Sequence, residues 1–176
     1  AGRLDMLVFL PIFSIAASLT TLVGMFYGAK EYRALRYIIK YGIFSALLIT
    51  IISSTIVYTF AGHVVRFFTD DASIVIIAVN FLQIFAFAYP FISVGITTGR
   101  VLQGLGKGLP VLIITIVRVL GVSAPLALFF VFIMDKTVEW VWYSMMLSTI
   151  VAFGIGLTWL ILSLIHISEP TRPSII

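Results

Sequence analysis

The chain has 176 residues, of which 61% are hydrophobic and 10% charged, and its mean hydropathy is +1.19. Soluble domains carry about 45–50% apolar and about 25% charged residues, so this composition indicates a membrane protein. The net charge of +4 is spread over loops rather than gathered on one face, which excludes a nucleic-acid partner, and the lack of cysteine excludes disulfides and thiolate chemistry.

A helix needs about 20 apolar residues to cross the hydrocarbon core. Five segments reach that length, Met6–Tyr27, Tyr41–Gly62, Ile74–Thr98, Leu109–Met134 and Val138–Ile161, and none holds an acidic residue in its interior. The runs are continuous and do not alternate, so the fold class is all-α, a polytopic transmembrane bundle, and not a barrel. The chain opens at Ala1 in the middle of a pattern, without an initiator Met or a signal-peptide n-region, and is expected to be a fragment.

The first helix carries Ser14, Ala17, Thr21, Gly24 and Gly28 at spacings of three and four, a stripe that would admit a neighbouring helix closely. The connection after it holds Lys30, Arg33, Arg36 and Lys40 against Glu31, and Lys30–Lys40 reads as a short amphipathic surface helix. His63 falls at the outer edge of the second helix as an interfacial residue. Next come Arg66 and Thr69-Asp70-Asp71, where the acids are expected to cap the third helix and complement its dipole.

The third helix contains Asn80 and Gln83 on one face, Tyr89, and the pair Gly95 and Gly99. Arg100–Pro110 follows, R-V-L-Q-G-L-G-K-G-L-P, and its glycines and proline predict a tight polar turn. The last connection holds Asp135, Lys136 and Glu139, and the fifth helix has a second small stripe at Ser144, Ser148, Ala152 and Gly156. Pro11, Pro90 and Pro125 each lie inside an apolar run and predict a kinked or weakened helix.

Connections one and three carry Lys30, Arg33, Arg36, Lys40, Arg100 and Lys107, whereas two and four carry only Arg66 and Lys136. The positive-inside rule puts the first and third in the cytoplasm, so the chain enters from outside and its fifth helix ends inside.

Enzyme chemistry has no footing in the sequence. G-x-S-x-G, a Walker loop, H-E-x-x-H and clustered metal ligands are all absent, and Gly104–Gly108 lacks the spacing of a phosphate loop. The candidates that remain are polar groups at membrane depth, which are costly there unless paired or hydrated. Arg118 lies about 13 Å into its helix at 1.5 Å per residue, too deep for easy snorkelling. Asn80, Gln83, Tyr89, Arg100 and Gln103 complete the set of transport-path or interlobe candidates. Interhelical hydrogen bonding is the alternative role for all of them.

The series V-F-L-P-I-F (Val8–Phe13), L-V-G-M-F-Y-G-A-K (Leu22–Lys30), R-F-F-T-D-D (Arg66–Asp71) and R-V-L-Q-G-L-G-K (Arg100–Lys107), followed by Arg118, resembles the multidrug and toxic compound extrusion (MATE) transporters. The likeness is to their C-terminal six-helix half and covers about residues 3–160. The N-terminal half usually shows Asn where Arg118 stands and lacks Gln103-Gly104. Met25 departs from the family's usual Gln.

The resemblance implies helices eight to twelve of twelve. Residues 1–161 would be a partial C-terminal lobe. It also implies an antiporter of a bacterial or archaeal inner membrane that exports small organic cations in exchange for H⁺ or Na⁺, without a cofactor. The partners implied are the lipid bilayer and the N-terminal lobe of the same chain. A flippase for lipid-linked oligosaccharides is the alternative within the same fold, and a non-transporting membrane subunit is a third. Residues 162–176 contain L-S-L-I-H-I-S-E-P-T-R, which resembles a translated sequencing adapter and is expected to be non-native.

Overall fold

In the computed structural model, residues 2–69 and 71–168 are described. They form helices joined by short turns, with no strand among them. The helices are α1 (Gly2–Gly28), α2 (Tyr32–Arg66), α3 (Ala72–Gly104), α4 (Gly108–Ile133) and α5 (Glu139–Ser168). All five are long and apolar enough to cross a membrane.

The ends differ from the sequence reading at three places. Tyr32–Lys40 is not a separate surface helix but the start of α2, because no breaker interrupts the chain between Lys40 and Gly42. Its amphipathic pattern holds, with Leu35 and Ile39 buried and Arg33, Arg36 and Lys40 exposed. Lys30, at φ 61°, makes the turn before it. At 35 residues and 1.5 Å per residue, α2 is about 52 Å long, well beyond a core of about 30 Å, which is long enough for its cationic end to clear the hydrocarbon.

Arg100–Gly104 is likewise helical, the last turn of α3, and the true turn is only Leu105–Lys107. Gly106 takes φ +76° there, a left-handed conformation that glycine adopts at no steric cost. Pro110 sits in the first turn of α4, where a missing N–H removes no helical bond. Finally, α5 continues past Ile161 to Ser168.

Helices α1 and α3 run unbroken through Pro11 and Pro90. Helix α4 does not keep α geometry. Val117–Ser123 and Phe129–Ile133 are π-helical, on either side of the α stretch Ala124–Leu128 that contains Pro125. Pro125 offers no N–H to the carbonyl of Gly121, so the turns around it rearrange their hydrogen bonds.

Helix α3 is the centre, packed by α1, α2 and α5. At the end predicted to be cytoplasmic, Leu19, Val23, Leu35, Ile39, Val101, Leu102, Leu105 and Leu160 form the main core. Two backbones meet there. A Cβ on Gly104 would lie 2.7 Å from the Thr20 carbonyl oxygen, and one on Gly42 would lie 2.5 Å from Leu19 Cδ2. Thr20 Oγ1 donates to the Arg100 carbonyl at 3.3 Å across the same seam. A smaller core of Ala61, Val65 and Leu82 joins α2 to α3 at the other end.

The two small stripes part company. Ser144, Ser148, Ala152 and Gly156 of α5 are buried in the bundle. The α1 stripe at Ser14, Ala17, Thr21, Gly24 and Gly28 is exposed, and α1 buries Val8, Ile12, Ala16, Leu19 and Val23 instead. Helix α1 is apolar all round, so spacing alone did not reveal which face turns inward.

Candidate functional site

At the end predicted to lie outside, Asp71 caps α3. Its Oδ1 accepts from the Ser73 amide at 2.9 Å and the Ile74 amide at 3.5 Å, and from the Ser73 hydroxyl. The Ser73 hydroxyl first, and then the two amides, hold its carboxyl below the usual value of 3.8. Asp70 lies outside the described residues. His63 is exposed, with its ring edge-on to Phe60.

Two cavities hold five of the six predicted path residues. The outer one, of about 590 Å³, lies between α2, α3 and α5 and is lined by Tyr58, Asn80, Gln83, Phe87, Phe91, Glu139 and Tyr143, among others. Asn80 and Gln83 face into it together, as their spacing of three requires. Asn80 Nδ2 donates to Glu139 Oε1 at 3.3 Å, joining α3 to α5. The carboxylate therefore does not lie in a loop: Glu139 is the first residue of α5 and lines a pocket walled by four aromatic rings.

The sequence reading placed Glu139 in a connection and gave it no role. The available signal was an acidic residue opening a helix, opposite an amide-bearing face of α3. Pairing those two helices required the fold.

The inner cavity, of about 430 Å³, lies between α3, α4 and α5 and is lined by Arg100, Gln103, Arg118, Thr98, Thr115 and Thr149, with Gly95, Gly99 and Gly156 giving it room. No acidic residue lines it. Arg100 Nη1 donates to Gln103 Oε1 at 3.4 Å. Arg118 is half-buried, in the second residue of the first π-helical stretch. Phe91 lines both cavities and packs edge-on against Phe153 at 5.4 Å between centroids.

Tyr89 stands apart. It is fully buried on the other side of α3, with Phe9 of α1 edge-on at 5.2 Å, and lines neither cavity. A third cavity, of about 730 Å³, is an open groove along α5 that includes Lys107, Trp159 and His166. It contains none of the predicted path residues, and its far end lies in the segment read as non-native.

A family model described as MatE matches residues 1–129. The chain is 29% identical over 125 residues to the probable multidrug resistance protein NorM of Thermotoga maritima, a match covering 71% of this chain and 27% of that protein. Among solved structures it resembles an outward-facing multidrug resistance MATE family transporter of the MOP superfamily, with a TM-score of 0.86 at 26% identity over 96% of this chain and 38% of the other. An inward-facing conformation of such a transporter gives the same TM-score of 0.86, at 24% identity over 97% of this chain and 39% of the other, a likeness of fold. A MOP superfamily transporter from Pyrococcus furiosus, for which a reversed polarity of the binding pocket is said to suggest a different function, gives 0.88 at 25% identity over 97% of this chain and 38% of the other. The chain thus spans about a quarter of the curated relative and well under half of each of these structures.

Proposed function

The chain belongs to the MatE family, and from that premise we propose that it forms most of the C-terminal lobe of a secondary antiporter. This transporter exports cationic, amphipathic compounds in exchange for H⁺ or Na⁺ across a bacterial or archaeal inner membrane. The N-terminal lobe of the same protein is its partner, and no cofactor takes part.

The observation that carries this reading is the outer cavity. Glu139 supplies a negative charge, Asn80 and Gln83 supply amides, and Tyr58, Phe87, Phe91 and Tyr143 supply ring faces. An organic cation is attracted by both the carboxylate and the aromatic quadrupoles. Its volume of about 590 Å³ falls in the usual range of small-molecule sites, about 300–1,000 Å³. The equal likeness of the chain to inward- and outward-facing relatives suits a lobe that keeps its shape while two lobes rock about a central site.

A second reading has its own observation. A flippase for lipid-linked oligosaccharides needs cations facing an anionic headgroup. Arg100 and Arg118 line one cavity, so Arg118 does not stand alone there. The reversed pocket polarity described for the Pyrococcus furiosus relative is in keeping with it.

The test is efflux by the full-length protein in a pump-deficient host. Ion-dependent efflux of a cationic dye supports the antiporter. A protein that expresses and moves no cationic dye gives way to the flippase, and one that transports nothing at all is a non-transporting subunit.

A further inference from the structure

We propose that the inner cavity between α3, α4 and α5 is an anion site that takes the phosphate group of an organic phosphate ester. The inference goes beyond cation export by assigning a ligand of opposite charge to a different cavity; it shares with the second reading only the sign of that charge, and direct binding tests it apart from any transport. Both ionisable side chains in its lining, Arg100 and Arg118, are cationic. Arg118 lies ten residues past the start of α4, about 15 Å into the helix. A guanidinium at that depth is costly unless an anion or fixed acceptors neutralise it.

The polar groups around it are of the right type. Guanidinium forks match phosphate oxygens with paired, charge-assisted hydrogen bonds. Thr115 and Thr149 use their hydroxyl protons on the Val111 and Met145 carbonyls, both at 2.9 Å. Thr98 is only 2% exposed, and its hydroxyl has no partner among the described residues. A buried donor of this kind is normally satisfied. The oxygen itself has almost no exposed surface, so an ester oxygen in the cavity would satisfy it only after a rotation of the Thr98 side chain. A volume of about 430 Å³ leaves room for the esterified group as well as the phosphate.

That ester is either an inner-leaflet lipid headgroup or a soluble metabolite, and the test separates them. The intact transporter carrying this chain is titrated with inorganic phosphate by thermal shift, which reports ligand binding by mass action. In parallel it is incubated with phosphatidylglycerol or phosphatidylcholine vesicles, and retained lipid is counted by native mass spectrometry.

The expected result is binding in at least one arm, weakened about tenfold or more by Arg118→Gln and by Arg100→Gln. Arg118→Lys should fall between, and Arg33→Gln, on the exposed start of α2, should match the unsubstituted protein. Binding in the phosphate arm alone indicates a soluble ester, and binding of phosphatidylglycerol alone indicates a headgroup. No binding in either arm, or equal binding by the Arg100→Gln and unsubstituted proteins, overturns the proposal; the exposed Arg100 keeps the test decisive if Arg118→Gln fails to fold. A transporter that binds phosphate but moves no cationic dye would sink the antiport reading and leave this one standing.

Discussion

Helix α3 uses glycine in opposite ways on its two sides. Toward α1, Gly104 brings two backbones together, and any side chain there would run into the Thr20 carbonyl and Val23. Toward α4 and α5, nothing lies within 4 Å of a Cβ built on Gly95, and the missing side chain leaves cavity space. The first face is closed, apolar and built to hold the lobe together. The second holds a cavity that mixes polar and apolar side chains, and its partner α4 buries only Pro110 among its described residues. Close packing and cavity space are thus divided between the two sides of one helix.

Substitutions at the two glycines test that division most sharply. Gly104→Ala forces the α1–α3 seam apart and should lower stability by about 1–3 kcal/mol, the usual cost of overpacking, read as a lower melting temperature in detergent. Gly95→Ala meets no neighbour and should leave stability unchanged or raise it by up to about 1 kcal/mol, because alanine is the better helix former. Equal losses at both positions would erase the distinction. Between these effects lies Arg118→Ala, which should impair transport several-fold while expression stays normal. Normal transport would return Arg118 to a packing role.

The smallest effect concerns pH, at the cap of α3. The Asp71 carboxyl is held below its ordinary value in the folded protein. Its contribution is therefore fully present above that ordinary value, 3.8, and is lost as pH falls through the folded value. Asp71→Asn keeps a capping side chain without the titration. The melting temperatures of the two proteins should run parallel down to about pH 4 and converge or cross only below it. A gap that changes between pH 7 and pH 5 would contradict the capping account.

Much of this arrangement was legible in the sequence. Long apolar runs and the placement of Lys and Arg gave five helices in the right order, because length and charge act locally. The α5 stripe and the shared face of Asn80 and Gln83 also followed from spacing. Partnership between helices did not. In a helix apolar on every side, such as α1, the lipid and the core present the same chemistry, so Ser14 and Ala17 looked as suited to the interior as Ile12 and Ala16. Glu139 was missed because it lies at a helix boundary, and its meaning depends on Asn80, fifty-nine positions earlier in the chain. The π-helical turns of α4 were visible only as a proline.

The cation-export reading turns on Glu139. The most direct measurement is dye efflux from proteoliposomes of the full-length transporter under an imposed ion gradient, comparing the unsubstituted protein with Glu139→Gln. The amide keeps the shape of the side chain and removes its charge. The reading predicts that efflux of a cationic dye falls by about tenfold or more, in line with the loss of one charge-assisted contact, with an unchanged melting temperature. Undiminished cation efflux by Glu139→Gln would show that the outer cavity does not recognise the cation.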